Sequence, residues 1–204
     1  LTADNKANDT DPAYSSDGSK LAFLRQTVKF FYADRARLMI VDAKGGTPVE
    51  AAPKLDRSCA APKWLPDGKR IAVEIEDAGY VRVGFINVAN GAVIADKTPL
   101  TERAIDFAKA TRLGVYQAST FDMPPTIFAH GPSMKDPIRL EKFNESLSSQ
   151  WKLGKVEERK FKGAGGRDVQ MFVVYPPDFD KALKWPLVQM VHGGPHNAFH
   201  NDFS

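Results

Sequence analysis

The sequence predicts a mainly β chain in two parts: several blades of a β-propeller over residues 1–150, then the first strands of an α/β domain over 151–204. Three observations support it. A motif occurs twice at one fixed offset, each copy is followed by further strand-like runs with no convincing helix, and the character of the chain changes after Gln150.

The first copy, "DPAYSSDGSKLAFLR" from Asp11, aligns with "APKWLPDGKRIAVEI" from Ala61. Pro12, Tyr14, Asp17, Gly18, Leu21, Ala22 and Phe23 fall on Pro62, Trp64, Asp67, Gly68, Ile71, Ala72 and Val73, always 50 residues apart. In each copy Asp-Gly is a turn pair that tolerates positive φ, and the apolar run after it is a strand. Tyr14 and Trp64 are expected to pack beneath these turns. Further strand candidates, "RLMIVDAKGG" and "RVGFINVANG", each close on a glycine turn.

A period of roughly 40 to 50 residues with four strands is the signature of a propeller blade. A β-sandwich with two similar hairpins is the competing arrangement, but it gives no reason for seven positions to align at one offset. A degenerate third blade is read from "TRLGVYQAST", "PPTIFAHGPS" and "PIRLEKFN", which lack the Asp-Gly turn. Because a propeller closes with roughly four to eight blades, further blades are expected outside these residues, with Leu1 and Thr2 as the tail of an earlier one.

From Trp151 the pattern differs. "WKLGKVEERKFKG" alternates Leu153, Val156 and Phe161 with charge and reads as a solvated hairpin strand, turning at Gly163–Gly166. "VQMFVVYPPDF" and "PLVQMV" are near-continuous apolar runs, the pattern of central strands covered on both faces. The second run ends in His192-Gly193-Gly194-Pro195-His196. A Gly-Gly step lets backbone N–H groups face a cavity without a Cβ in the way, which suits an oxyanion-holding loop.

Composition narrows the functions. With 43% hydrophobic and 26% charged residues the chain is globular, and its 28 basic and 25 acidic residues are interleaved, which disfavours nucleic acid as a partner. No apolar run reaches the length of a membrane span, so no membrane partner is expected either. The single cysteine, Cys59, excludes an internal disulfide and is compatible with a cytoplasmic or a periplasmic or secreted location. No cofactor is implied. His192, His196 and His200 are four apart, but the glycines and proline break any helix across the first pair and no Glu follows as a zinc peptidase needs, so metal is not expected. Asp4, Asp9 and Asp11 lack the spacing of a calcium loop and are read as turn residues.

"YPPDFDKALKWPLVQMVHGGPHNAF" resembles the start of the catalytic domain in the prolyl oligopeptidase family of serine peptidases, in its acylaminoacyl-peptidase and dipeptidyl-peptidase V branch. "DPAYSSDG" and "APKWLPDG" resemble the blades that precede that domain, so the likeness covers nearly the whole chain. The resemblance implies an α/β-hydrolase domain beginning at 151, and hydrolysis of short peptides through an acyl-enzyme. It also implies that the Gly193 and Gly194 amides hold the oxyanion, with His192 where other branches place an assisting tyrosine. His196 becomes a candidate to line the substrate site. No Gly-x-Ser-x-Gly elbow is present, and Ser133 in "GPSMK" does not form one. In hydrolase order the catalytic Ser, Asp or Glu, and His all follow this strand. None is therefore expected here, and the remainder of the polypeptide becomes the necessary partner. The alternative is a non-catalytic binding propeller resembling the periplasmic TolB protein, which leaves "VHGGPH" unexplained.

Overall fold

The structure, a computed structural model, describes residues 2–95, 97–111, 113–131, 137–194 and 196–203. Leu1, Ser133, Pro195 and Ser204 lie outside the described residues.

Three antiparallel four-stranded sheets follow one another. The first contains β1 (Asp9–Tyr14), β2 (Lys20–Arg25), β3 (Arg37–Asp42) and β4 (Val49–Glu50). The second contains β5 (Cys59–Trp64), β6 (Arg70–Asp77), β7 (Tyr80–Asn87) and β8 (Val93–Ala95). In the third are β9 (Thr101–Phe107), β10 (Gly114–Thr120), β11 (Met123–His130) and β12 (Ile138–Arg139). Each is ordered as a meander, the arrangement of a propeller blade. Both Asp-Gly turns form as expected. Gly18 and Gly68 have φ of 69° and 64°. The Asp17 carboxylate accepts from the Ser15 hydroxyl and from the Ser19 amide and hydroxyl, which hold it down at about 2.

The third blade keeps the same frame with different residues. The turn between its first two strands closes through Ala108 N–H to Leu113 O at 2.9 Å, matching Ser15 to Lys20 and Leu65 to Arg70. Thr111 Oγ1 accepts from the Leu113 amide near the place where the other blades have glycine. Each first strand also carries a bulge, at Asp11, Ala61 and Ala104, with φ of 52°, 46° and 54°. The bulge shifts the register of each first strand and leaves one of its residues outside the ladder.

Burial between blades forms the core. Leu24, Leu38, Cys59, Ile71, Val73 and Ile86 pack between the first and second blades, and Leu65, Val83, Phe85, Ile105 and Tyr116 between the second and third. Fully burying each large aliphatic side chain contributes about 1.5–3 kcal/mol. Desolvation raises the Cys59 thiol to about 11, so it stays protonated and packs as a small apolar group. Polar bonds set the register between blades. The Ala104 amide, freed by its bulge, donates to Glu74 at 2.7 Å, and the Val83 amide donates to the fully buried Glu102 at 3.1 Å.

Three expectations change. Tyr14 is exposed, and Trp64 does not pack beneath its own turn; its indole N–H reaches back to Ala13 O of the first blade at 2.9 Å. A turn closed by its own backbone and aspartate needs no aromatic beneath it, while the seam between blades does. Asp4 and Asp9 both bind the Arg25 guanidinium, which makes the aspartate-rich start an ion-pair anchor for β2. The third change concerns "PLVQMV". β13 (Val156–Lys162) and β14 (Asp168–Val174) pair as a hairpin about a short 3-10 turn, Ala164–Gly166. Residues 186–191 join no sheet, and Leu187 and Val188 are 90% and 82% exposed. An apolar run becomes a covered strand only beside strands that supply its ladder and faces. Among the described residues no third strand joins the hairpin.

Glu102→Ala in the full-length protein should cost about 1–3 kcal/mol of stability, because it strands the Val83 N–H inside the seam. A thermal or denaturant midpoint at the wild-type value would show that the buried carboxylate does not hold the blades together.

Candidate oxyanion turn and its docking surface

In every blade the loop between the second and third strands faces the same segment, residues 192–203. The first blade supplies Tyr32, whose Oη–H donates to Gly194 O at 2.7 Å and whose ring meets His196 edge to face at 4.5 Å. In the second, Gly79 O accepts from the Asn201 amide at 2.8 Å. The third offers the Phe121 amide to Asn201 Oδ1 at 3.0 Å, while Asn201 Nδ2 reaches Pro99 O at 3.1 Å. Asp202 accepts from the Ser119 hydroxyl and lies 3.6 Å from Arg103. One short stretch of chain is thus pinned to three blades.

The hairpin docks on the same end. Gln170 Nε2 donates to Ala78 O at 2.7 Å, and Phe172 packs edge to face against Tyr80 and Phe121. Gly79 has φ of 78°, and a Cβ there would meet the Phe172 ring at 2.8 Å. The tight Ala78-Gly79 turn is therefore what lets β14 approach the second blade.

Residues 192–194 are exposed. Gly194 has φ of 140°, and a Cβ on it would lie 2.8 Å from Asn197 N and 2.9 Å from His196 N, so only glycine fits. Gly193 has no such constraint, with nothing within 4 Å of its Cβ position. His192 Nδ1 lies 3.0 Å from Gly193 O. Because a trans peptide points its C=O and the following N–H in opposite directions, a bond to Gly193 O aims the Gly194 N–H the other way. Among the described residues neither the Gly193 nor the Gly194 amide donates to a protein acceptor.

The three histidines have separate surroundings. His192 faces the Phe199 ring at 5.9 Å, His196 packs on Tyr32, and His200 Nε2 is 3.6 Å from Glu76. No cluster of metal-binding side chains occurs among the described residues, and no helix among them is long and apolar enough to cross a membrane.

Sequence reasoning did not find Tyr32, Asn201 or Asp202. The signal at Tyr32 was the run "VKFFY", an apolar cluster that is exposed in a loop, with Phe30 92% exposed. That loop is built around Asp34. Its carboxylate accepts from the Thr27 and Val28 amides and pairs with Arg37 at 3.1 Å. Burial opposes ionisation of Asp34, but the Arg37 guanidinium and the two amides outweigh it and hold the carboxyl well below its ordinary value. Gln26 Nε2 donates to Tyr32 O at 3.0 Å and to Asp34 O at 2.7 Å.

No family model matches the chain. It is 30% identical over 217 residues to the probable dipeptidyl-peptidase 5 of Aspergillus clavatus, covering 98% of this chain and 28% of that protein. To the dipeptidyl-peptidase 5 of Porphyromonas gingivalis it is 25% identical over 190 residues, covering 93% and 28%. The chain thus spans about 28% of the length of these curated relatives. Among solved structures, the acylaminoacyl peptidase of Pyrococcus horikoshii superposes with a TM-score of 0.74 at 18% identity, over 92% of this chain and 28% of that one. A putative TolB from Agrobacterium tumefaciens gives 0.54 at 18% identity, over 83% and 55%. These structural likenesses establish the fold: the three sheets are propeller blades.

Asp34 gives the Tyr32 loop a defined acid response. A carboxylate depressed in the folded state stabilises above its unfolded value of about 3.9 and loses that contribution as pH falls through the lower folded value. Thr27 and Val28 amides in the full-length protein should therefore stay protected from hydrogen exchange, after correction for intrinsic rates, at pH values below the ordinary aspartate value of about 3.9. In Asp34→Asn they should exchange faster already at pH 7, and equal protection in the two proteins would refute the role given to Asp34.

Proposed function

We propose that the whole protein is a serine peptidase of the prolyl oligopeptidase family acting on short peptides, since this chain is similar to dipeptidyl-peptidase 5 proteins over about 28% of their length and shares the fold of part of an acylaminoacyl peptidase. In this reading residues 1–150 are the last blades of its propeller and residues 151–204 begin its α/β-hydrolase domain. The reaction class is dipeptidyl- or acylaminoacyl-peptide hydrolysis through an acyl-enzyme. The serine, its histidine and their acid partner come from parts of the protein outside these residues, and no cofactor takes part.

This chain's contribution is electrostatic. When the serine oxygen adds to the scissile carbonyl, the carbonyl oxygen becomes an anion, and the Gly194 N–H is its donor. One observation carries this assignment: the Gly194 amide has no protein acceptor among the described residues, in a turn whose conformation only glycine can take. His192 assists from the far side of the same peptide plane. With Nδ1 protonated it donates to Gly193 O, fixing the plane and polarising the Gly194 N–H, since linked hydrogen bonds strengthen one another. His196, held against Tyr32, lines the path by which a peptide reaches the turn.

A binding propeller similar to TolB fits the blades alone. It gives no function to the turn at 192–194 or to its docking on three blades.

The full-length protein should react covalently with a fluorophosphonate probe and hydrolyse at least one of the dipeptidyl and acetyl-aminoacyl chromogenic substrate classes; residues 1–204 alone should do neither. In the full-length enzyme Gly194→Ala should lower kcat on the order of 10² to 10³-fold with little change in KM. Gly193→Ala, which meets open space, should keep most of the turnover. Near wild-type kcat in Gly194→Ala would remove the oxyanion role from this turn.

A further inference from the structure

We propose that Tyr32, a propeller residue, is a positioning residue for the oxyanion turn of the hydrolase domain. The inference rests on the oxyanion reading given above and adds a residue 162 positions away in sequence.

Tyr32 makes two contacts with the turn: the phenol donates to Gly194 O at 2.7 Å and the ring packs on His196 at 4.5 Å. Gly194 O belongs to the peptide that follows Gly194, while Gly193 O, beside His192, belongs to the one that precedes it. Glycine is the least constrained residue in the chain, and at φ 140° it has no Cβ to limit rotation. Holding the peptides on both sides removes that freedom, so the Gly194 N–H keeps its direction before substrate arrives. Oxyanion stabilisation depends on this, because donors that must reorient during the reaction lose their advantage.

The support for Tyr32 is as specific as the contact. Gln26 donates to the Tyr32 carbonyl, and Asp34 ties the loop's start to its end through the Thr27 and Val28 amides and Arg37. A loop that only connected β2 to β3 needs no such bracing, since the neighbouring Phe30 and Phe31 are left exposed.

The test uses Tyr32→Phe in the full-length protein, which deletes the hydroxyl and keeps the ring on His196. It should lower kcat about fivefold, the effect of one neutral hydrogen bond, leave KM unchanged, and speed hydrogen exchange at the His196 and Asn197 amides. Tyr32→Ala should give a larger loss in kcat and faster exchange, while Phe30→Ala should change neither. A rise in KM at unchanged kcat would make Tyr32 a substrate contact, and faster exchange without loss of kcat would make it purely structural; either result overturns the proposal. If the wild-type protein hydrolyses none of the substrates, the peptidase reading fails separately, and exchange decides: unchanged exchange in Tyr32→Phe refutes the positioning role and faster exchange upholds it.

Discussion

The arrangement at the glycine turn depends on burial between neighbouring blades. A four-stranded meander has apolar side chains on its faces and cannot bury them alone. Ile71, Val73 and Ile86 of the second blade are almost fully buried because Leu24 and Leu38 of the first close over them, and Val83 and Phe85 on the other face are covered by Ile105 and Tyr116 of the third. Apolar packing is tolerant of small slides, so it does not fix one blade against the next. Directional bonds do: Trp64 to Ala13 across the first seam, and Glu74 and Glu102 across the second. The buried Glu102 carboxylate, which accepts a backbone N–H, combines desolvation cost with a geometric requirement, and a seam that slips would leave it unpaired.

Once the blades are in register, their second-to-third-strand loops gather at one end, and each can be altered without disturbing the seams. The three loops differ accordingly. The second blade uses a two-residue turn at Ala78-Gly79, which brings its carbonyls within reach of Gln170 and Asn201. The third is also tight and presents the Phe121 amide. The first is long, braced by Asp34 and Gln26, and extends Tyr32 to the glycine turn. Anchoring at Asn201 and Asp202 fixes the chain beyond the turn, and Tyr32 fixes the turn itself.

Much of the fold was legible because blade structure is mostly local. Asp17-Gly18 and Asp67-Gly68 announce their turns by residue type, and the apolar runs that follow announce their strands. The bulges were not legible: positive φ falls on Asp11, Ala61 and Ala104, none of them glycine, because hydrogen bonds and seams impose that conformation. The third blade shows the same limit, since its turn closes through Thr111 with neither Asp nor Gly. At the site, Gly193 and Gly194 stood out as a sequence motif, but nothing in the sequence separates them. The separation lies in φ and in the nearness of the His196 and Asn197 amides at Gly194 alone. Trp64 and Tyr32 were misjudged or missed for one reason: their partners belong to other parts of the chain, which no local pattern encodes.

An apolar segment that these residues leave uncovered lies immediately before the turn. Leu187, Val188, Met190 and Val191 are all largely exposed, although the segment is tethered behind by Trp185 Nε1 to Asp180 O at 2.8 Å and ahead by Asn201. In the proposed hydrolase domain, neighbouring strands would bury these side chains, each contributing about 1.5–3 kcal/mol, and would fix the strand that delivers His192. The turn would then be held by two independent frames, the hydrolase sheet on the approach and the propeller loops beyond it. The glycines supply the adaptability between them. A residue with a Cβ at 194 could satisfy one frame only by leaving the other, and this accounts for a glycine at the point where the two meet.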